Sequence, residues 1–273
     1  MRTRIAVVFL CLTFVLSAVP ADAQYAVRRS SDRATGENYH VEISGFLWNP
    51  TPTIGIASES IPGVIGDKID FVEDLGIEKT TFKQLRVVLR PATKHKFRFE
   101  YTPINYVQPS GELRRDVVFN GILYRVGIPV ATELDWNAYR FTYEYDIVYR
   151  DRGFFGILLE AKYTDIRAEL ESAFNSEFVH ARAPIPAVGV IGRVYPAPNF
   201  SITGEFSGVR WPSSIDEDYE GKYFDFDIYG TVNFSDHFGA QAGYRSFDVF
   251  YRVDSDEGDL KIKGFYFGGL VRF

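Results

Sequence analysis

The chain has 273 residues, a formal net charge of −6, one cysteine and an aromatic content of 16%. The acidic balance argues against nucleic acid, whose binding needs a basic footprint. A single cysteine excludes a disulfide framework and a thiolate metal site. Beyond the N-terminus no stretch approaches the ~18 apolar residues of a membrane-spanning helix, so the 24 Phe and 17 Tyr need another placement.

In chain order, Met1-Arg2-Thr3-Arg4 is a basic start, Ile5 to Val19 is apolar, and Ala21-Asp22-Ala23 resembles a signal-peptidase site. Residues 1–23 therefore read as a secretory signal peptide, with the mature chain starting at Gln24. Cys11 follows Phe9 and Leu10 instead of small residues, which rejects lipidation, and the mature chain has no cysteine. Removing Arg2, Arg4 and Asp22 leaves 28 basic and 35 acidic residues. Residues 24–38 are polar, with Arg28, Arg29 and Arg33, and read as a periplasmic lead-in without structure of its own.

From residue 40 the hydrophobic period is two, which is the signature of strands. Tyr139, Phe141, Tyr143, Tyr145, Ile147 and Tyr149 share one parity, and Arg140, Thr142, Glu144 and Asp146 share the other. Six large side chains per strand would overfill a small lumen. Facing lipid they fit, and the charged parity then lines the interior. The spacing predicts strands near 40–48, 52–59, 82–90, 95–105, 114–126, 132–149, 153–168, 186–195, 199–209, 221–234, 237–252 and 259–273. The fold class is all-β: a transmembrane antiparallel up-and-down barrel of about twelve strands over residues 39–273, with ten as the alternative. Counting back from Phe273, the short turns at 236–237, 197–199 and 150–152 fall on the periplasmic side, as such barrels require. The tight turn Pro91-Ala92-Thr93-Lys94 falls on the wrong side. Either it is an exception or one strand among residues 100–135 is misassigned. Residues 61–79 do not alternate and read as a loop or a plug.

The expected lumen charges are Arg86, Arg90, Arg98, Arg140, Lys162, Arg193 and Arg245, with Glu100, Glu144, Asp146, Glu160, Glu205, Asp225 and Asp227. Arg245 is the least secure, because it shares parity with Phe247 and Val249. In a narrow barrel such groups pair across the lumen, since unpaired buried charge is costly. A wider pore would leave them hydrated to orient a small solute. Twelve strands leave both readings open, with a filled lumen the first expectation.

The mature histidines are His40, His95, His180 and His237. None has Ser two residues later, as the His-x-Ser pattern of lipid A deacylases requires. An omptin-type protease needs Asp and His at the outer rim, where Asp216, Asp218 and His180 are candidates in different loops. The acidic runs Asp254-Ser255-Asp256-Glu257 and Asp216-Glu217-Asp218 lack the spacing of a calcium loop. No catalytic, metal or cofactor residues are assigned.

The closing residues carry a resemblance. Phe265, Phe267, Val271 and Phe273 share one parity and end the chain on an aromatic, similar to the C-terminal strand that the barrel-assembly machinery reads. With Ile69-Asp70-Phe71-Val72-Glu73-Asp74-Leu75-Gly76-Ile77, Arg90-Pro91, Lys94-His95-Lys96-Phe97-Arg98-Phe99, Gly243-Tyr244-Arg245 and Gly264 to Leu270, the chain resembles a group of outer-membrane β-barrel proteins of Gram-negative bacteria. The resemblance implies place and fold, with outer-membrane lipids and the assembly machinery as partners, and no catalytic residues. The functional expectation is a non-enzymatic barrel, either a narrow channel or a structural envelope protein. A barrel enzyme acting on lipid or peptide at the outer rim is the alternative.

Overall fold

A computed structural model describes residues 34–273 apart from 58, 62–63, 66–68, 71–72, 75–78, 114–115, 120–121, 128, 173–175, 212–218 and 254–255. The expected signal peptide, and the lead-in as far as residue 33, lie outside the described residues. Ten long strands alternate along the chain: β1 Val41–Ala57, β2 Phe82–Ala92, β3 His95–Glu112, β4 Pro129–Arg150 and β5 Gly153–Ser172, then β6 Ser176–Ala197, β7 Phe200–Trp211, β8 Tyr219–Asn233, β9 Phe238–Val253 and β10 Asp256–Arg272. Each pairs antiparallel with its sequence neighbours, and β10 pairs with β1 from Glu42↔Arg272 to Ala57↔Glu257. The sheet is therefore closed and has no free edge along that seam.

The count is ten, the alternative stated above. Two expected strands, 40–48 and 52–59, are the single strand β1 running through Pro50 and Pro52. Past Trp48 the strand has lost β2, whose pairing ends at Phe82. Proline is tolerated where an edge has no ladder to interrupt. The expected strand 114–126 is instead a short hairpin, Val117–Phe119 against Ile122–Tyr124, too short to cross a bilayer. With both changes the turn at Thr93-Lys94 joins those at Asp151-Arg152, Pro198-Asn199 and Phe234–His237 on the side of the chain termini. All four tight turns now obey one rule. Between the expected strands 153–168 and 186–195, most residues continue β5 and β6, and His180, taken above for an outer-loop residue, pairs with Arg167.

Parity decides what faces where. On β5, Phe155, Ile157, Leu159, Ala161 and Tyr163 point outward, while Phe154, Leu158, Glu160 and Lys162 are buried. A bulge interrupts the β4–β5 ladder at Ile147. Ile147 and Val148 both face out, and Tyr149 turns inward to stack on Phe154, not outward with Tyr145 as expected. A bulge adds one residue and so reverses every parity beyond it.

The outer face is apolar for only part of each strand. On β4 it runs from Tyr145 to Tyr139 and then turns polar at Asn137, Asp135 and Glu133. On β10 it runs from Phe273 to Phe265 and then becomes Lys263 and Lys261. Tyr101, Tyr139 and Tyr163 form a row at that level, with ring centroids 4.9 and 6.3 Å apart. Such rows sit at membrane–water interfaces. A bilayer needs ~9–11 tilted strand residues, whereas β4 has 22. About half of the longest strands thus project beyond the apolar band, away from the termini.

The interior changes at the same level. Within the apolar band it is mostly charged, with one small apolar cluster of Phe154, Leu158 and Ile191. In the projecting part it is an apolar core of Phe46, Trp48, Phe82, Ile104, Tyr106, Leu134, Trp136, Phe247, Val249, Leu260 and Ile262. The two halves therefore follow opposite solvent rules. One is apolar outside and ionic inside, and the other is polar outside and apolar inside.

Candidate functional site: the ionic lumen and its cap

All fourteen expected lumen charges point into the barrel. Thirteen are buried, and Arg193 is nearly so, with 11% of its side chain exposed. Arg245 is among the buried ones, because Phe247 and Val249, on the same parity, face inward in the apolar core. Four interior charges were missed: Lys96, Glu42, Arg272 and Glu37. Lys96 carried a signal, since it alternates with Arg98 and Glu100. Arg272 did too, opposite the terminal aromatic parity. Including these, the described residues place nine cations and nine carboxylates in the interior.

The pairs are continuous across the lumen. Arg86 Nε donates to Glu100 Oε1 at 2.9 Å. Arg245 links Glu100 at 3.1 Å to Asp225 at 2.9 Å. Arg140 lies on Glu160, and its guanidinium also reaches Glu100, Glu205 and Asp225, each at 3.5 Å. Lys162 bridges Glu160 at 3.0 Å and Asp225 at 3.3 Å. Towards the termini Arg98 joins Glu205 at 2.7 Å to Glu144 at 3.3 Å. Lys96 then holds Glu144 at 2.6 Å and Asp146 at 3.0 Å. Asp227 accepts from the Tyr266 hydroxyl at 2.9 Å and faces Arg86 at 3.6 Å. Cavities beside Arg140 and Lys162, beside Leu134 and Trp136, and beside Arg98 and Arg193 measure about 20 Å³ each, room for one water.

The termini-side mouth is covered by residues 34–40, which have no helix or strand but are tied to the turns around it. Ala34 N donates to Asp151 O, Thr35 N to Pro198 O at 2.7 Å, and Gly36 N to Asp236 Oδ1 at 2.7 Å. Asn233 Nδ2 donates to Thr35 O, and Arg90 to the Glu37 carbonyl. Gly36 has φ +83°, and a Cβ there would meet Arg272 and Asn233. Only glycine takes that conformation and approach without strain. In the stretch 61–79, where a plug was an option, Ile69–Asp70 pairs with Gly55 and Ile56 of β1, and most of the remainder lies outside the described residues.

Glu37 anchors the cap. Its Oε1 is 3.0 Å from Arg193 Nη1 and accepts from the Tyr195 hydroxyl at 2.5 Å. Its Oε2 is 3.4 Å from Arg90 Nη1. Burial by itself raises the carboxyl's pKa. Arg193, Lys96, the Tyr195 hydroxyl and Arg90 outweigh burial and hold it at about 2, below its ordinary 4.5. A depressed carboxylate stabilises fully above its unfolded value and loses that contribution as pH falls through the folded one. The cap is thus expected to stay closed above pH 4.5 and to loosen between 4.5 and about 2. Glu37→Gln should be loose throughout. Hydrogen exchange at Thr35 and Gly36 measures this, and exchange in the variant as slow as in wild type would refute it.

The histidines are dispersed. His40 Nδ1 lies 3.2 Å from Arg90 O, and His237 Nδ1 lies 3.1 Å from Arg272 O, both at the termini side. His95 meets the Tyr143 hydroxyl at 2.7 Å on the outer face. Asp216, Asp218, Asp254 and Ser255 lie outside the described residues, as does the His180 side chain. Among the described residues no group of three or more His, Cys, Asp or Glu is placed to hold a metal. Phe265, Phe267 and Phe273 are exposed on the outer face, and Val271 is half-buried between them. The terminal residue closes the ring, its N–H donating to Val41 O at 2.9 Å.

No protein-family model and no curated protein matches the sequence. Solved structures do. The outer membrane protease OmpT of Escherichia coli aligns over 86% of this chain and 97% of its own, at 9% identity and a TM-score of 0.56. Ail, the attachment invasion locus protein of Yersinia pestis, aligns over 86% and 99% at 13% identity and a TM-score of 0.37. The Pseudomonas putida toluene transporter TodX aligns over 86% and 90% at 9% identity and a TM-score of 0.34. At 9% identity, what the OmpT match shows is shared architecture. The chain has the fold of an outer-membrane β-barrel, closed from ten antiparallel strands.

Proposed function

We propose that this protein resides in the outer membrane of a Gram-negative bacterium as a non-enzymatic, non-conducting barrel with a structural role in the envelope. The observation that carries this reading is the ion-pair network spanning the lumen from Arg86 to Lys162, with a cavity of about 20 Å³ between its Glu100, Arg140, Lys162 and Arg245. An ion crossing it would have to break several buried pairs at once, each costly to open. The residue 34–40 cap closes the termini side below the network, and the Trp48–Phe247–Trp136 layer lies above it. The apolar outer band fits membrane lipid, and the exposed Phe273, Phe267 and Phe265 fit recognition by the assembly machinery. The test is conductance of the refolded protein in a planar bilayer. A silent membrane is expected, and steady ohmic steps would overturn the proposal in favour of a narrow solute channel.

A further inference from the structure

Arg90 and Arg193 share one carboxylate. Donors converge on Glu37 from three barrel strands: Arg90 from β2, Tyr149 from β4, at 3.5 Å, and Arg193 and Tyr195 from β6. The acceptor comes from a short segment without secondary structure. The wall therefore fixes the donors independently of what they hold. The surrounding charges are already matched: Lys96 by Glu144 and Asp146, and Arg272 by Glu42 at 2.6 Å. Among the described residues neither Arg90 nor Arg193 has a second carboxylate partner, so two guanidiniums face one negative charge. Their remaining bonds go to neutral acceptors, Thr93 O and the Glu37 carbonyl for Arg90, and Thr203 Oγ1 and the Tyr229 hydroxyl for Arg193.

We propose that the mouth between Arg90 and Arg193 is a binding site for a small doubly charged oxyanion, of which phosphate is the simplest, and that Glu37 is its in-chain placeholder. A dianion balances both guanidiniums where one carboxylate does not, and its several oxygens can accept from planar guanidinium forks and from the Tyr195 and Tyr149 hydroxyls together. The donors point into the lumen inside the ring of turns, so the ligand is a soluble anion from the termini side and not a lipid headgroup. In the intact protein the ligand competes with Glu37, and its apparent affinity is the intrinsic one multiplied by the fraction of time the cap is open. The inference does not depend on whether the barrel conducts.

The test is calorimetric titration of inorganic phosphate into the refolded full chain in detergent, with chloride at equal ionic strength as control. Glu37→Ala is expected to bind phosphate at least about tenfold more tightly than wild type. Adding Arg193→Gln is expected to abolish the gain. Glu37→Gln, which keeps the side-chain shape, is the second variant should Glu37→Ala fail to refold. Should neither refold, wild type with Thr35→Cys and Cys11→Ser reports cap release, and phosphate is expected to speed thiol labelling. A folded variant that binds phosphate no better than wild type would falsify the proposal. So would equal binding by the Arg193→Gln double variant, or labelling unaffected by phosphate. Binding by phosphatidylglycerol micelles but not by free phosphate would overturn the soluble-anion assignment.

Discussion

Arg140→Ala is expected to destabilise the barrel by about 3–5 kcal/mol, the usual cost of removing one partner from a buried ionic network. Arg140 reaches Glu160, Glu100, Glu205 and Asp225, and its side chain is 7% exposed. Without it, among the described residues nine interior carboxylates face eight cations, and a bilayer surrounds them. The paired variant Arg140→Met with Glu160→Met restores the balance and fills similar volume, so most of the loss should return. Urea unfolding of the refolded protein, followed by its heat-modifiable gel mobility, measures both. A single variant costing under about 1 kcal/mol would mean that water already screens these charges. That result would also count against a filled lumen.

The second large effect lies in the projecting half. Trp48 is fully buried, donates from Nε1 to Gly264 O at 3.1 Å, and packs edge-on to Phe247 with centroids 5.4 Å apart. Trp48→Ala should cost about 3–5 kcal/mol, because closed walls on every side prevent collapse of the cavity it leaves. Phe265 lies on a neighbouring strand but is 74% exposed on the outer face. Phe265→Ala leaves no cavity, since lipid fills the space, and should cost far less. Comparable losses in the two variants, measured by the same unfolding assay, would contradict the assignment of inner and outer faces.

Much of this architecture is readable from parity alone. Alternation assigns Phe155 to Tyr163 to lipid and Glu160 and Lys162 to the lumen, because a strand has only two faces. Two kinds of feature escape that logic. The first is anything that changes the count. The bulge at Ile147 has no glycine or proline to announce it, and it reversed Tyr149. The hairpin at Val117 to Tyr124 has strand composition without the length to cross. Pro50 and Pro52 look like a break, yet they lie where β1 has no β2 beside it. The second is anything long-range. Glu37 lies in a segment with no periodicity at all. Its role comes from Arg90, Arg193 and Tyr195, which are 53 to 158 positions away in sequence. No local pattern encodes such a meeting.

The change from ionic to apolar interior has a consequence for assembly. Membrane barrels guard against a one-residue slip between strands, because it would turn the lipid face inward. A two-residue slip keeps parity and passes that check. Here it does not pass. On β3 the inward series runs Lys96, Arg98, Glu100, Thr102, then Ile104 and Tyr106. On β4 it runs Asp146, Glu144, Thr142, Arg140, Ala138, then Trp136 and Leu134. Sliding either strand by two residues moves an ionic side chain, or in the other direction an apolar one, into the neutral spacer position held by Thr102 or Ala138, and takes the charges behind it off their partners. The interior boundary thus acts as a height gauge. It fixes the stagger of the strands along the barrel axis and, with it, the tilt and bore of the closed sheet.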